Sequence, residues 1–306
     1  MLRHLLLRSG SSLFALLIIS MIVFSLSQLS GNPVDALLPD DATQEQIDTF
    51  IRDWGLDQPL WKQYMTFLGN AMLGDFGTSL KWPGESAMGF VLDRMPATLK
   101  LGGLAILISV VIALPLGIAA AYTKGSITDN AAQLFALLGQ SMPNFWLGIV
   151  LIWVFSVWLG WLPTSGTGSF AHLILPAIAI AWFQISALTR LTRSAMLEVL
   201  DAEYVKLARV KGVPEWLVIC KHAFRNAAVV PLTYFGILAA SILTGSVVIE
   251  SVYSYPGMGW VAIEAIRGRD FPVIQAVILA YAVIYMLSNL LVDLLYVVVN
   301  PRMHHG

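Results

Sequence analysis

Long apolar runs free of Asp, Glu, Lys and Arg alternate along the chain with short polar connectors. Five appear: Ser9 to Val34, Leu101 to Thr123, Asn130 to Thr189, Asn226 to Ile249 and Phe271 to Val292. A spanning helix needs about 20 mostly apolar residues, so four of the runs predict one helix each. The third, at roughly 60 residues, is far too long for one span at about 1.5 Å of rise per residue. It is interrupted by Gly160-Trp-Leu-Pro-Thr-Ser-Gly-Thr-Gly168 and therefore predicts two. The expected fold is an all-α polytopic membrane protein with six transmembrane helices, over about 11 to 29, 99 to 122, 133 to 159, 173 to 189, 228 to 249 and 273 to 299. Pro115, Pro143, Pro176 and Pro231 fall within or near these spans and predict kinks.

Composition agrees with the pattern. Of 306 residues 57% are hydrophobic and 12% charged, with a mean hydropathy of +0.74, whereas soluble domains carry about 25% charged residues. The net charge of -1 gives no basic excess for nucleic acid. The single Cys220 excludes a disulfide framework and any metal site that needs two thiols. Trp158 and Trp161, at the outer end of the third span after Trp146 and Trp153, fit an interfacial aromatic belt.

Orientation follows from Lys and Arg in the short loops. Gly160 to His172 carries no charge, whereas Arg190 to Arg225 carries seven basic residues. The positive-inside rule then predicts N-in and C-in. Residues 1–30 hold the N-terminus and first helix, 31–96 form an external segment, and 97–306 form a core whose cytoplasmic loop is 190–226. Ser25-Leu26-Ser27 loosely imitates a signal-peptide cleavage site, but beside five further spans the first apolar run reads as a retained anchor. The external segment far exceeds an ordinary connection of about 4 to 6 residues and predicts a cap with local order. It holds a helix-compatible stretch from Thr43 to Trp54, a turn at Gly55-Leu-Asp-Gln-Pro59, an aromatic-rich run from Leu60 to Phe67, and Gly74-Asp-Phe-Gly77. Its carboxylates Asp40, Asp41, Glu45 and Asp48 are candidates for docking a partner on the outer face.

Catalytic patterns are missing. The chain has no GxxxxGK[ST] phosphate loop, no HExxH and no GxSxG elbow. Asp293 is the one ionisable group well inside an expected span, a turn from Asn289. It reads either as a pathway residue or as a polar clamp to a neighbouring helix. Gln140, Ser141, Asn144 and Gln184 complete a polar set that fits a translocation pathway or interhelical hydrogen bonds. Met95, Met142, Met196 and Met258 are scattered and the His304-His305 pair lies in the tail, so no metal site is expected.

The 190–226 loop is the richest segment. Leu197, Leu200, Tyr204, Leu207 and Ala208 recur at helical spacing with charges on other faces, and Gly212 is a natural helix stop. Two short amphipathic helices follow, fitted either to anionic lipid or to a protein partner. Tyr204-Val-Lys-Leu-Ala-Arg-Val-Lys-Gly212 with His222-Ala-Phe-Arg-Asn226 resembles the EAA coupling loop of ATP-binding-cassette importer permeases, in the dipeptide, oligopeptide and nickel group. Gly55-Leu-Asp-Gln-Pro-Leu60, Gly74-Asp-Phe-Gly77, Ser141-Met-Pro-Asn-Phe-Trp146, Arg193-Ser-Ala-Met-Leu-Glu-Val-Leu200, Tyr255-Pro-Gly-Met-Gly259, Arg269-Asp-Phe-Pro-Val-Ile-Gln275, Asn289-Leu-Leu-Val-Asp-Leu-Leu295 and Asn300-Pro-Arg302 are similar to the B-type subunits of that group. They cover nearly the whole chain in the same order. The position of the loop's namesake Glu is Lys206 here, so an acidic contact at that point is not implied.

The resemblance implies a multi-pass permease of the bacterial inner membrane that moves peptides, nickel or a related small solute. A second homologous permease subunit, two cytoplasmic ATPases and a periplasmic substrate-binding protein would complete the complex. ATP and Mg would be bound by those partners, which accounts for the missing phosphate loop, and this chain would be no enzyme and bind no cofactor or metal. Glu203, Tyr204, Lys206, Leu207, Ala208, Arg209, Lys211 and Gly212 would carry the ATPase contact. An ion-coupled secondary transporter is the alternative, though such proteins show more intramembrane ionisable groups or broken helices in an internal repeat. An intramembrane aspartic enzyme would need a second Asp beside Asp293.

Overall fold

The computed structural model describes residues 2–29, 42–53 and 55–299, excepting the side chains of 2–9, 29, 50, 53, 235–245 and 291–299. The helices are α1 (Leu2–Leu29), α2 (Gln44–Asp53), α3 (Leu60–Met72), α4 (Ala87–Tyr122), α5 (Ile127–Ser141), α6 (Asn144–Leu151), α7 (Ala171–Leu200), α8 (Glu203–Val210), α9 (Glu215–Leu217), α10 (Phe224–Ala227), α11 (Val229–Val252), α12 (Met258–Arg267) and α13 (Phe271–Val299). The stretches Ile152–Trp158 and Val218–Ala223 continue α6 and α9 as π-helix. The described residues contain no β-strand, and one isolated bridge joins Thr78 to Ser86. Gly10–Gln28, α4, α7 and Phe271–Leu290 are long and apolar enough to cross a membrane.

The helix expected over 133 to 159 is broken. α5 and the α6 helix with its π-helical extension meet at a bend of 105°. Pro143 supplies no N–H and pushes the preceding residue out of helical geometry, and Met142 accordingly has ψ 129. α5 also starts earlier than expected, because Ser126 caps it by accepting from the Asp129 backbone N–H. Other spans outrun the charge-free stretches: α4 runs through Asp93, Arg94 and Lys100, and α7 continues past Thr189 through Arg190, Arg193 and Glu198. Charges on a helix end do not stop it, since their side chains can reach water or a partner. Pro231 costs little, lying in the first turn of α11 where the N–H has no intrahelical acceptor.

Two compact units divide the chain, one from Met1–Pro96 with Gly257–Leu287 and the other from Ala97–Pro256 with Ser288–Gly306. In the first, α1 meets α3 through Phe24 and Tyr64, with ring centroids 5.5 Å apart, and through a 2.9 Å hydrogen bond between Ser20 Oγ and Tyr64 Oη. Its apolar core joins Ala87 and Val91 of α4 to Met258, Val261 and Ala265 of α12 and to Val273 and Val277 of α13. Asp270, fully buried, caps α13 and holds the turn at Ser79 to Lys81. Its carboxylate accepts from Ser79 Oγ, from the N–H of Leu80 at 3.1 Å and Lys81 at 3.0 Å, and from the N–H of Val273 at 3.3 Å. Lys81 Nζ reaches Glu264 Oε2 at 2.6 Å beside it.

α7 is the centre of the second unit. Leu175, Ile180, Ile185 and Leu188 of α7 share a buried cluster with Leu101 and Ala105 of α4 and Ile249 of α11. Small residues let the helices approach closely, as membrane helices do. A Cβ at Gly117 of α4 would lie 2.7 Å from Thr192 Cβ, and one at Gly139 of α5 would overlap Ser186 Oγ. Sequence reading missed Glu250, a fully buried carboxyl that accepts from Thr98 Oγ1 at 2.8 Å. It lies one residue beyond the charge-free run that ends at Ile249, so the criterion that located the span also discarded it.

Candidate coupling site and pathway residues

α8 follows α7 after Ala202, whose extended backbone (ψ 145) turns the chain. The helix ends where Gly212 adopts φ +74, a left-handed conformation that disfavours any side chain. Gly212 N–H donates to Arg209 O at 2.9 Å and Val213 N–H to Ala208 O at 3.2 Å, the paired bonds of a Schellman cap. Val205 and Ala208 face inward and join a buried cluster with Ala121 of α4, Ala195, Met196 and Leu200 of α7, and Val218, Ala223 and Ala227 beyond. This short helix is thus seated on α7 rather than lying free.

The opposite face is open. Tyr204 is 44% exposed, Leu207 53%, Val210 84% and Trp216 65%. Tyr204, Leu207 and Val210, spaced three apart, share one face of α8, Trp216 lies on α9, and Lys206 and Lys211 are exposed as well. Arg209 is held by Glu215, with Nη2 to Oε1 at 2.9 Å, and that hydrogen bond pushes the guanidinium above its already high pKa. Lys206 pairs with Glu203 at 3.0 Å, an exposed contact of small energetic weight. Of the residues expected to carry the contact, Ala208 supports the helix from beneath. Val210 belongs to the exposed face and Trp216 is exposed after it, and neither was expected there; the helical spacing Tyr204, Leu207, Val210 is the signal that could have found Val210.

The support below is polar. Arg193 of α7 binds Asp129 of α5 through Nε to Oδ1 at 2.5 Å and Nη2 to Oδ2 at 2.8 Å. Asp129 also accepts from the Gly125 N–H at 2.9 Å and from Gln133 Nε2 at 3.0 Å, so the turn between α4 and α5 is fixed to α7.

The pathway candidates are not gathered at one place. Gln140 is half-buried on α5, Ser141 turns back to donate to Leu137 O at 2.9 Å, and Asn144 opens α6 just after Pro143. Gln184 is buried within α7. Asn289 is half-buried on α13, whereas the side chains of Asp293 and of the docking candidates Asp40 and Asp41 lie outside the described residues.

A helical membrane component with a seated, outward-facing amphipathic helix is the class that this geometry defines. Residues 113–305 match the family described as binding-protein-dependent transport system inner membrane component, and residues 1–102 match its N-terminal family. The chain belongs to that family and is a multi-pass subunit of an ATP-binding-cassette importer in the bacterial inner membrane. Among similar proteins, the oligopeptide transport system permease protein AppB of Bacillus subtilis is 37% identical over 90% of both chains. The dipeptide transport system permease protein DppB of Escherichia coli is 36% identical over 100% of this chain and 99% of its own. A solved structure of the MetNI methionine ABC transporter shares the fold, with a TM-score of 0.60 at 18% identity over 70% of this chain and 97% of that one.

Proposed function

We propose that this chain conducts peptides, with six spans oriented N-in and C-in, and that α8 is the lever through which partner ATPases move it. The relatives named for oligopeptide and dipeptide transport support the solute class. The observation that carries the lever is the exposed face of Tyr204, Leu207 and Val210 on a helix whose reverse face is locked into the α7 cluster, with Trp216 of α9 exposed after it. A push on the exposed face is transmitted because the buried face cannot slide without opening packed core. The push shifts the permease between states only if the ATPases bind those states with different free energies.

The complex comprises a second homologous permease, two ATPases that bind ATP and Mg, and an external substrate-binding protein; this chain binds no cofactor. Residues 42–96, which include α2 and α3, form the cap on the outer side, where Glu45 and Asp48 of α2 are exposed and available to a docking protein. Leu207→Glu in the complete complex tests the lever. Assembly in the membrane is expected to persist while binding-protein-stimulated ATP hydrolysis and uptake both fall about tenfold, the scale of one lost interfacial anchor. Normal uptake by the variant would remove α8 from the contact.

A further inference from the structure

A cavity of about 320 Å³ lies between α5 and α7, lined by Gln133, Leu137 and Gln140 of α5 and by Thr189, Arg190 and Arg193 of α7. The lining residues follow helical spacing on each side, so one face of each helix contributes. No carboxylate among the described residues lines the cavity. Asp129, which would balance the charge, is engaged by Nε and Nη2 of Arg193.

Arg190 is left over. It makes no hydrogen bond or ion pair among the described residues and stands exposed in α7, one residue past the charge-free stretch that ends at Thr189. The Gln140 amide is likewise without a protein partner among the described residues, and the buried Thr189 hydroxyl has none. The Arg190 guanidinium lines the cavity and can meet an anion that enters it. Its planar fork matches a carboxylate in two parallel hydrogen bonds. The neighbouring Arg193 shows that fork closed on Asp129; at Arg190 it is open to the cavity.

We propose that this cavity is an anion subsite, in which the Arg190 guanidinium receives a carboxylate of the solute in transit and Gln140 supplies a neutral hydrogen-bond partner. The proposal rests on the peptide-conducting reading, since every unmodified peptide carries a C-terminal carboxylate. A phospholipid phosphate offers the same chemistry, and lipid composition separates the two sources.

The test uses the complete importer in liposomes of zwitterionic lipid alone and in liposomes with added anionic lipid, with dialanine on its binding protein as the probe. Arg190→Gln is expected to lower ATP-driven dialanine uptake about tenfold in both membranes, the scale of one lost charge-assisted contact. Binding-protein-stimulated ATPase activity is expected to stay within about twofold, since the lever is intact. Arg190→Lys keeps a point charge and is expected to fall between. Gln140→Leu lowers uptake in the same direction and decides the matter should Arg190→Gln fail to assemble. Unchanged uptake by these variants, or a fall in ATPase activity in step with uptake, would overturn the subsite. A defect confined to anionic membranes would assign Arg190 to lipid instead. Absence of ATP-driven dialanine uptake by the unaltered complex would sink the peptide reading itself, and the subsite with it.

Discussion

Arg193 and Asp129 form a two-bond ion pair that ties the later part of α7 to the first turn of α5. Asp129 is 1% exposed, so its carboxylate has little access to water and depends on the pair and on the Gly125 N–H for compensation. α7 leads directly into α8, so the pair stiffens the support beneath that short helix.

Removing one partner leaves a buried charge without its counterion, and breaking such a pair costs about 3–5 kcal/mol. Asp129→Asn or Arg193→Gln is therefore expected to lower the thermal midpoint of the purified complex by several degrees. The double variant is expected to be less damaging than the sum of the two, a non-additivity that a double-mutant cycle reads directly. Strict additivity would show that the pair contributes nothing as a pair.

Gly212→Val places a β-branched side chain at φ +74, which costs roughly 1–2 kcal/mol in the left-handed region. The loss falls on the Schellman cap of α8 rather than on a membrane span. Normal insertion with ATP hydrolysis uncoupled from uptake is expected, as measured by the ratio of solute moved to phosphate released. An unchanged ratio would separate the cap from coupling.

Asp270→Ala deletes the acceptor shared by Ser79, Leu80, Lys81 and Val273. The buried Val273 N–H left without a partner costs about 1–3 kcal/mol, and the part-buried N–H groups of Leu80 and Lys81 cost less. Faster protease cleavage between Gly74 and Glu85 in right-side-out vesicles is the expected readout, with helix content unaltered.

Acid should loosen the same region. Lys81, and secondarily Arg267, hold the Glu264 carboxyl below its usual value of 4.5. Because the folded value is depressed, the stabilisation is fully present above about 4.5 and is lost as pH falls through the lower folded value. Lys81→Met removes the larger cause of the depression, so protease sensitivity at the 74–85 segment is expected to rise at a higher pH than in the unaltered protein. Coincident acid profiles would show that Lys81 does not set the titration.

Orientation is testable by labelling from outside intact cells in a Cys220→Ser background. A thiol introduced by Lys62→Cys is expected to react with an impermeant reagent, and one introduced by Glu215→Cys is not. Reaction at both positions would reverse the assignment of the α8 face to the cytoplasm.

The long apolar helices and the short helix α8 were legible in the sequence because their determinants are local. Apolar length identifies a helix that lipid can surround, and the apolar spacing from Leu197 to Ala208 with Gly212 identifies a short helix and its stop. Helix ends were less legible, since α4 and α7 continue through charges that a search for charge-free runs treats as boundaries. Tertiary structure alone decided which charges are paired. Sequence distance says nothing of the meeting of Arg193 with Asp129, 64 residues away, or of Asp270 with Ser79, 191 residues away. It also could not show that Arg190, one turn from Arg193 on the same helix, is left without a partner among the described residues. Burial and pairing depend on packing between distant segments, and residues of identical type differ only in what the fold sets against them.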